Sequence, residues 1–168
     1  MFEIAKQQVK LIKASVPIEN HGKEKKAAIV LTVEAVLSNV HLNLLAHGLT
    51  EALYRKAEDQ DQSDLISETA LRFPKMSPFD WDYTGTGYKA VIDYGLGGDS
   101  DIALTDVKID SFSITPMEGG TVVYRFNIIG HTDELYTGRL CFLQKQDIDL
   151  TLKPPAPTKP EDLFKDAA

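Results

Sequence analysis

MEGGTVVYRFNII, residues 117–129, decides the fold. Two adjacent glycines, Gly119 and Gly120, accept the positive φ that a tight chain reversal demands. Beyond them Val122, Tyr124, Phe126 and Ile128 recur at every second position, the period of a strand with one buried face. The stretch before them, DIALTDVKIDSFSIT (101–115), alternates too, but its phase slips twice: Ile102 and Leu104, then Val107 and Ile109, then Phe112 and Ile114. One long strand bent by bulges is the expectation, since each extra residue flips the faces that follow.

Working outward, YKAVIDY (88–94) alternates Tyr88, Ala90, Ile92 and Tyr94, and DIDLTL (147–152) sets Ile148, Leu150 and Leu152 against a wet face. Between hairpin and last strand, ELYTGRLCFLQ (134–144) reads as a short helix capped by Thr132 or Asp133 and weakened by Gly138. Residues 88–152 are therefore predicted to form an antiparallel meander, one helix and a returning strand.

The first half repeats the theme. FEIAKQQVKLIKA (2–14) alternates weakly with a slipped phase, and AAIVLTVEAVL (27–37) places Ile29, Leu31, Val33 and Ala35 on one face. VPIENHGKEKK (16–26) between them reads as a polar turn region. VHLNLLAHGLTEALYRKA (40–57) reads as helix with Asn39 as its cap, either kinked or split at Gly48. From 58 to 80 the pattern dissolves into a long acidic and aromatic loop, of the kind that is mobile or binds something. The expected class is α+β, mainly antiparallel β: an OB-like barrel or curved sheet with two helical segments, a generic α+β sandwich using the same parts. The domain runs from 1 to 153, with a Pro-rich acidic tail from 154 to 168.

A chain of 168 residues with 43% hydrophobic content suits one domain with one core. No apolar run approaches the ~18 residues of a membrane span, and MFEIAKQQVK lacks the apolar stretch of a secretory signal. The single cysteine, Cys141, excludes an internal disulfide. These features set the expectation of a cytoplasmic protein with one buried thiol. The net charge of −7 concentrates in residues 51–101, which hold eleven acids against five bases. That balance excludes a dominant basic footprint for duplex DNA and disfavours anionic membranes.

No nucleophile, P-loop or metal-ligand motif occurs. His41 and His47 are six apart, not the i, i+4 spacing of a helical metal pair. Asp99 and Asp101 in GLGGDSD lack the ligand series of a calcium loop and fit a turn better. The expectation is a binding protein that is not an enzyme and needs no cofactor.

LRFPKMSPFDWDY (71–83) and the strand after it gather Trp81, Tyr83 and Tyr88 with Arg72, Lys75 and Lys89. Aromatic faces beside cations are how single-stranded nucleic acid is held, so these six form the candidate nucleic-acid site. Covering a core edge is the plainer use of the same aromatics. Asp80 and Asp82 interleave with them, and would repel phosphate or mate with a basic protein surface. In the tail, prolines at 154, 155, 157 and 160 favour an extended linker, after which Glu161, Asp162, Leu163 and Phe164 form a candidate docking peptide.

The layout of barrel, linker and acidic tip with an aromatic is similar to that of phage and bacterial single-stranded-DNA-binding proteins, although Lys165 and "DAA" follow the Phe here. LRFPKMSPFDWDY, DYGLGGDSDIALTDVKIDSF and EGGTVVYRFNIIGHTDELYTGRL together resemble small phage and prophage proteins of unassigned role. The resemblance covers the chain from about Leu71 onward and brings no active site. It implies a bacterial host cell and a task in phage replication, recombination or counter-defence. The expectation is a single-stranded-DNA-binding or recombination accessory protein, open to homo-oligomerisation, whose tail recruits a recombinase, polymerase or nuclease. The alternatives are an acidic inhibitor that docks residues 58–101 on a basic host defence protein, and a virion or assembly component.

Overall fold

The structure is a computed structural model that describes residues 1–21, 24–57, 69–93 and 101–156, with the side chains of 18–27 left aside. Six long strands carry it: β1 (Ile4–Ser15), β4 (Ile29–Ser38), β8 (Gly85–Asp93), β9 (Ile102–Pro116), β10 (Thr121–Gly130) and β11 (Asp147–Lys153). They neighbour one another in the order β10-β4-β1-β11-β8-β9, and β9 pairs back onto β10, so the sheet closes into a barrel. Every pairing is antiparallel. Closure leaves none of the six with a free edge over its paired length. The short β7 (Phe79–Trp81) adds to β9 beyond the point where β8 leaves it.

The slipped phases of the sequence are bulges, and all but one, the jump between Leu11 and Lys13 of β1, contain a residue with positive φ. In β1 the register jumps between Ile4 and Gln7, around Lys6 at φ 22°. In β9 it jumps where Asp106 (φ 54°) and Ser111 (φ 59°) sit. In β8 it jumps between Gly85 and Tyr88, around Gly87 at φ 74°. An extra residue bends its strand and increases its twist, which is what six strands need to close. The interior-facing residues thus change from even to odd and back: Ile102, Leu104, Val107, Ile109, Phe112 and Ile114 are all buried.

The core fills the barrel. Phe2 is fully buried, with its ring centroid 5.1 Å from Phe112, 5.4 Å from Tyr124 and 5.6 Å from Phe126. Phe112 and Phe126 stack at 4.9 Å. α3 (Glu134–Phe142) is capped by Asp133, whose carboxylate accepts from Tyr136 N–H at 2.8 Å, and it buries Leu140. Asp133 rather than Thr132 is thus the cap.

Several expectations are corrected. The region 16–26 is a hairpin, β2 (Ile18–His21) with β3 (Glu24–Ala27), extending the β1–β4 reversal. Asn39 is no helix cap. Ser38 caps a 3-10 turn over Asn39–His41, accepting from Val40 N–H, while Asn39 is itself buried. The predicted helix over 40–57 is two short pieces, α1 (Leu42–Leu45) and α2 (Leu49–Leu53), broken at Gly48 (φ 82°). Its last residues are strand: β5 (Tyr54–Lys56) pairs with β6 (Thr69–Leu71). Four- and five-residue helices are too short to persist on propensity, so packing on the barrel decides their limits. The 58–80 loop accordingly contains β6 and β7, with 58–68 outside the described residues. Cys141 is half-buried rather than sequestered. Tyr94 and Asp99 lie outside the described residues.

Candidate functional site: an acidic cleft around Trp81

Residues 79–88 carry the three aromatics of the predicted nucleic-acid site, and the fold separates them. β7 pairs Phe79 with Ile114 and Trp81 with Phe112, so alternate side chains lean on the barrel. Trp81 is half-buried, edge-on to Phe79 at 6.4 Å. Tyr88 belongs to the core and is fully buried. Its hydroxyl lies 3.0 Å from that of Tyr83, and the Tyr83 oxygen accepts from Phe2 N–H at 3.1 Å. Burial first, and the Tyr83 hydroxyl second, push the Tyr88 phenol well above the usual tyrosine range. Tyr83 packs edge-on to Phe112 at 5.4 Å. Tyr88 therefore offers no face to a base, and Tyr83 is held by its hydroxyl and by Phe112.

The cations go elsewhere too. Arg72 Nε donates to the Glu51 carbonyl at 2.8 Å and the Tyr54 carbonyl at 3.1 Å, tying β6 to α2. Lys75 is exposed on a turn that Met76 N–H closes by donating to Phe73 O at 3.0 Å. Lys89 is exposed on β8, facing Lys153 across the strand pair.

What gathers at Trp81 is acid. A cleft of about 560 Å³ is lined by Asp80, Trp81, Asp82 and Thr84 on one side and Asp110, Ser111 and Phe112 on the other. Asp110 pairs with Lys108 at 2.8 Å and accepts from Ser111 Oγ at 3.0 Å. Asp80 and Asp82 have no ion-pair partner among the described residues. Asp80 and Asp82 are legible in the sequence because they flank the tryptophan. Asp110 and Ser111 are not, because only the β7–β9 pairing and the bulge at Ser111 bring them there.

A second surface has the opposite chemistry. Arg72, Phe73, Pro74, Lys75 and Met76 line an open, almost wholly apolar depression rimmed by two cations. Phe73 is 58% exposed and Met76 39%. Two prolines and the lack of a period hid this patch from sequence reading. The predicted docking residues Glu161, Asp162, Leu163 and Phe164 lie outside the described residues. Among the described residues no group of His, Cys, Asp or Glu has the makings of a metal site, and no helix is long and apolar enough to cross a membrane. No family model, curated protein or solved structure matches the chain.

Proposed function

We propose that the barrel is a non-enzymatic binding protein whose contact surface is the Trp81 cleft, and that it takes a basic protein surface. The observation that carries this reading is the cleft that Trp81 lines together with Asp80, Asp82 and Asp110. An arginine or lysine entering there meets a π-face and carboxylates together. In the phage setting that the sequence resemblance implies, the partner is a basic host defence protein, and the acidic excess of residues 51–101 speeds encounter.

The test is a titration of the full chain, followed by Trp81 fluorescence, with an arginine-rich peptide and separately with a single-stranded oligonucleotide, each at two salt concentrations. Saturable peptide binding that weakens with salt is expected. Saturable oligonucleotide binding with no response to peptide would overturn the reading in favour of single-stranded DNA. An OB-like barrel with exposed Lys75 and Lys89 supports that second reading, but the three carboxylates that line the cleft with the only tryptophan oppose it.

A further inference from the structure

The basic apolar patch at Arg72–Met76 and the acidic apolar segment at 161–164 are chemical complements on one chain. The path of β11 heads the chain toward the patch. β11 runs antiparallel to β8, with Asp149 opposite Asp93 and Lys153 opposite Lys89. Pro155 continues that path, since a Cβ built on Gly87 would lie 3.5 Å from the Pro155 ring. The chain is therefore travelling along β8 toward Gly85 as it passes Ala156. Beyond Gly85 lies β7. Along β9, Gly85 faces Ile109, Trp81 faces Phe112 and Phe79 faces Ile114, so β7 continues the line of β8. The side of β7 away from β9 has no strand partner among the described residues.

The lengths agree. From Ile109 to Ile114 is five residues of strand, roughly 17 Å at the usual rise. Eight residues separate Ala156 from Phe164, and an extended proline-rich segment covers ~3.1 Å per residue, or roughly 25 Å. Phe164 thus reaches past the level of Phe79, and Met76 lies three residues beyond Phe79 along the chain. The prolines at 157 and 160 lack N–H groups and suit a segment that lies across a surface rather than inside a sheet.

We infer that residues 160–165 dock in cis on the Arg72–Met76 patch, Leu163 and Phe164 against Phe73, Pro74 and Met76, with Glu161 and Asp162 toward Arg72 and Lys75. The contact itself holds whatever the cleft binds.

The test places a photo-crosslinker, p-benzoylphenylalanine, at position 73 of the full chain, where the side chain is 58% exposed and its loss leaves the core intact. Illumination without any partner is expected to join position 73 to residues 160–165 within a single chain, as read by mass spectrometry, at a yield independent of dilution. Leu163→Ser with Phe164→Ser is expected to cut that yield at least several-fold. Crosslinks to another segment, crosslinks only between chains, no crosslink, or a yield indifferent to the double substitution would each overturn the proposal. The readout involves neither peptide nor DNA, so it stands or falls apart from the reading of the Trp81 cleft.

Discussion

The Tyr54 hydroxyl sits on the β9–β10 reversal: it lies 2.7 Å from the Thr121 carbonyl and 2.9 Å from the Met117 carbonyl, and accepts from Met117 N–H at 3.1 Å. This one phenol ties the helical segment and β5 to the hairpin whose glycines set the fold. Gly120 makes room for the same junction. With φ 76° and a Cβ position 2.6 Å from Thr69 Oγ1, it lets β6 come against the turn. Tyr54→Phe is expected to cost about 1–2 kcal/mol, because backbone groups lose a buried partner. Urea unfolding checks this, with an unchanged far-ultraviolet spectrum showing that the barrel survives.

Alkaline pH should loosen the protein through three phenols. Burial pushes Tyr54 up to about 12, and pushes Tyr88 and Tyr124 up further. Tyr124 carries a buried hydroxyl with no hydrogen-bond partner among the described residues, so nothing there meets its charged form. A folded pKa above the unfolded one means stability is complete below about pH 10 and falls as pH rises through the folded values. The urea midpoint should hold steady from pH 7 to 9 and drop above pH 10. Absorbance at 295 nm should show part of the six tyrosines ionising only with unfolding.

Phe2 is the aromatic that plugs the barrel, touching rings from β9 and β10. Phe2→Ala is expected to cost about 3–5 kcal/mol by cavity formation. A loss under 1 kcal/mol by denaturant titration would show the aromatic cluster closing over the gap.

Ser111 tests the bulge. At φ 59° a β-branched residue is strained and glycine is not. Ser111→Gly should be neutral or stabilising by up to about 1 kcal/mol, whereas Ser111→Val should destabilise by about 1–2 kcal/mol. Thermal unfolding of both variants gives the sign.

At the cleft, Asp80→Asn with Asp82→Asn should weaken an arginine-rich peptide tenfold or more, about 1.4 kcal/mol, and flatten its salt dependence. Trp81→Ala should do the same to affinity but not to salt dependence. If oligonucleotide is the ligand instead, the Asp pair should strengthen binding and Trp81→Ala should cost about 1–3 kcal/mol.

The sequence by itself determined the six long strands, their buried faces and the bends of β1 and β9. Period-two alternation is local, and a bulge announces itself as a slipped phase, so Ile102 through Ile114 could be read as one bent strand without coordinates. The Gly119–Gly120 turn was likewise local. Tertiary structure decided everything that rests on pairing across the chain. Closure of β9 onto β10, and of β11 between β1 and β8, turns a curved sheet into a barrel. Tyr54–Lys56, helical by local pattern, becomes strand because β6 supplies its hydrogen bonds. The site followed the same division. Trp81 with Asp80 and Asp82 was visible as a string, but its aromatic neighbours were not what they looked like. Tyr88 turned inward because β8 alternates, and Asp110 arrived from β9 because a strand's partner is chosen by the whole core and not by its own residues.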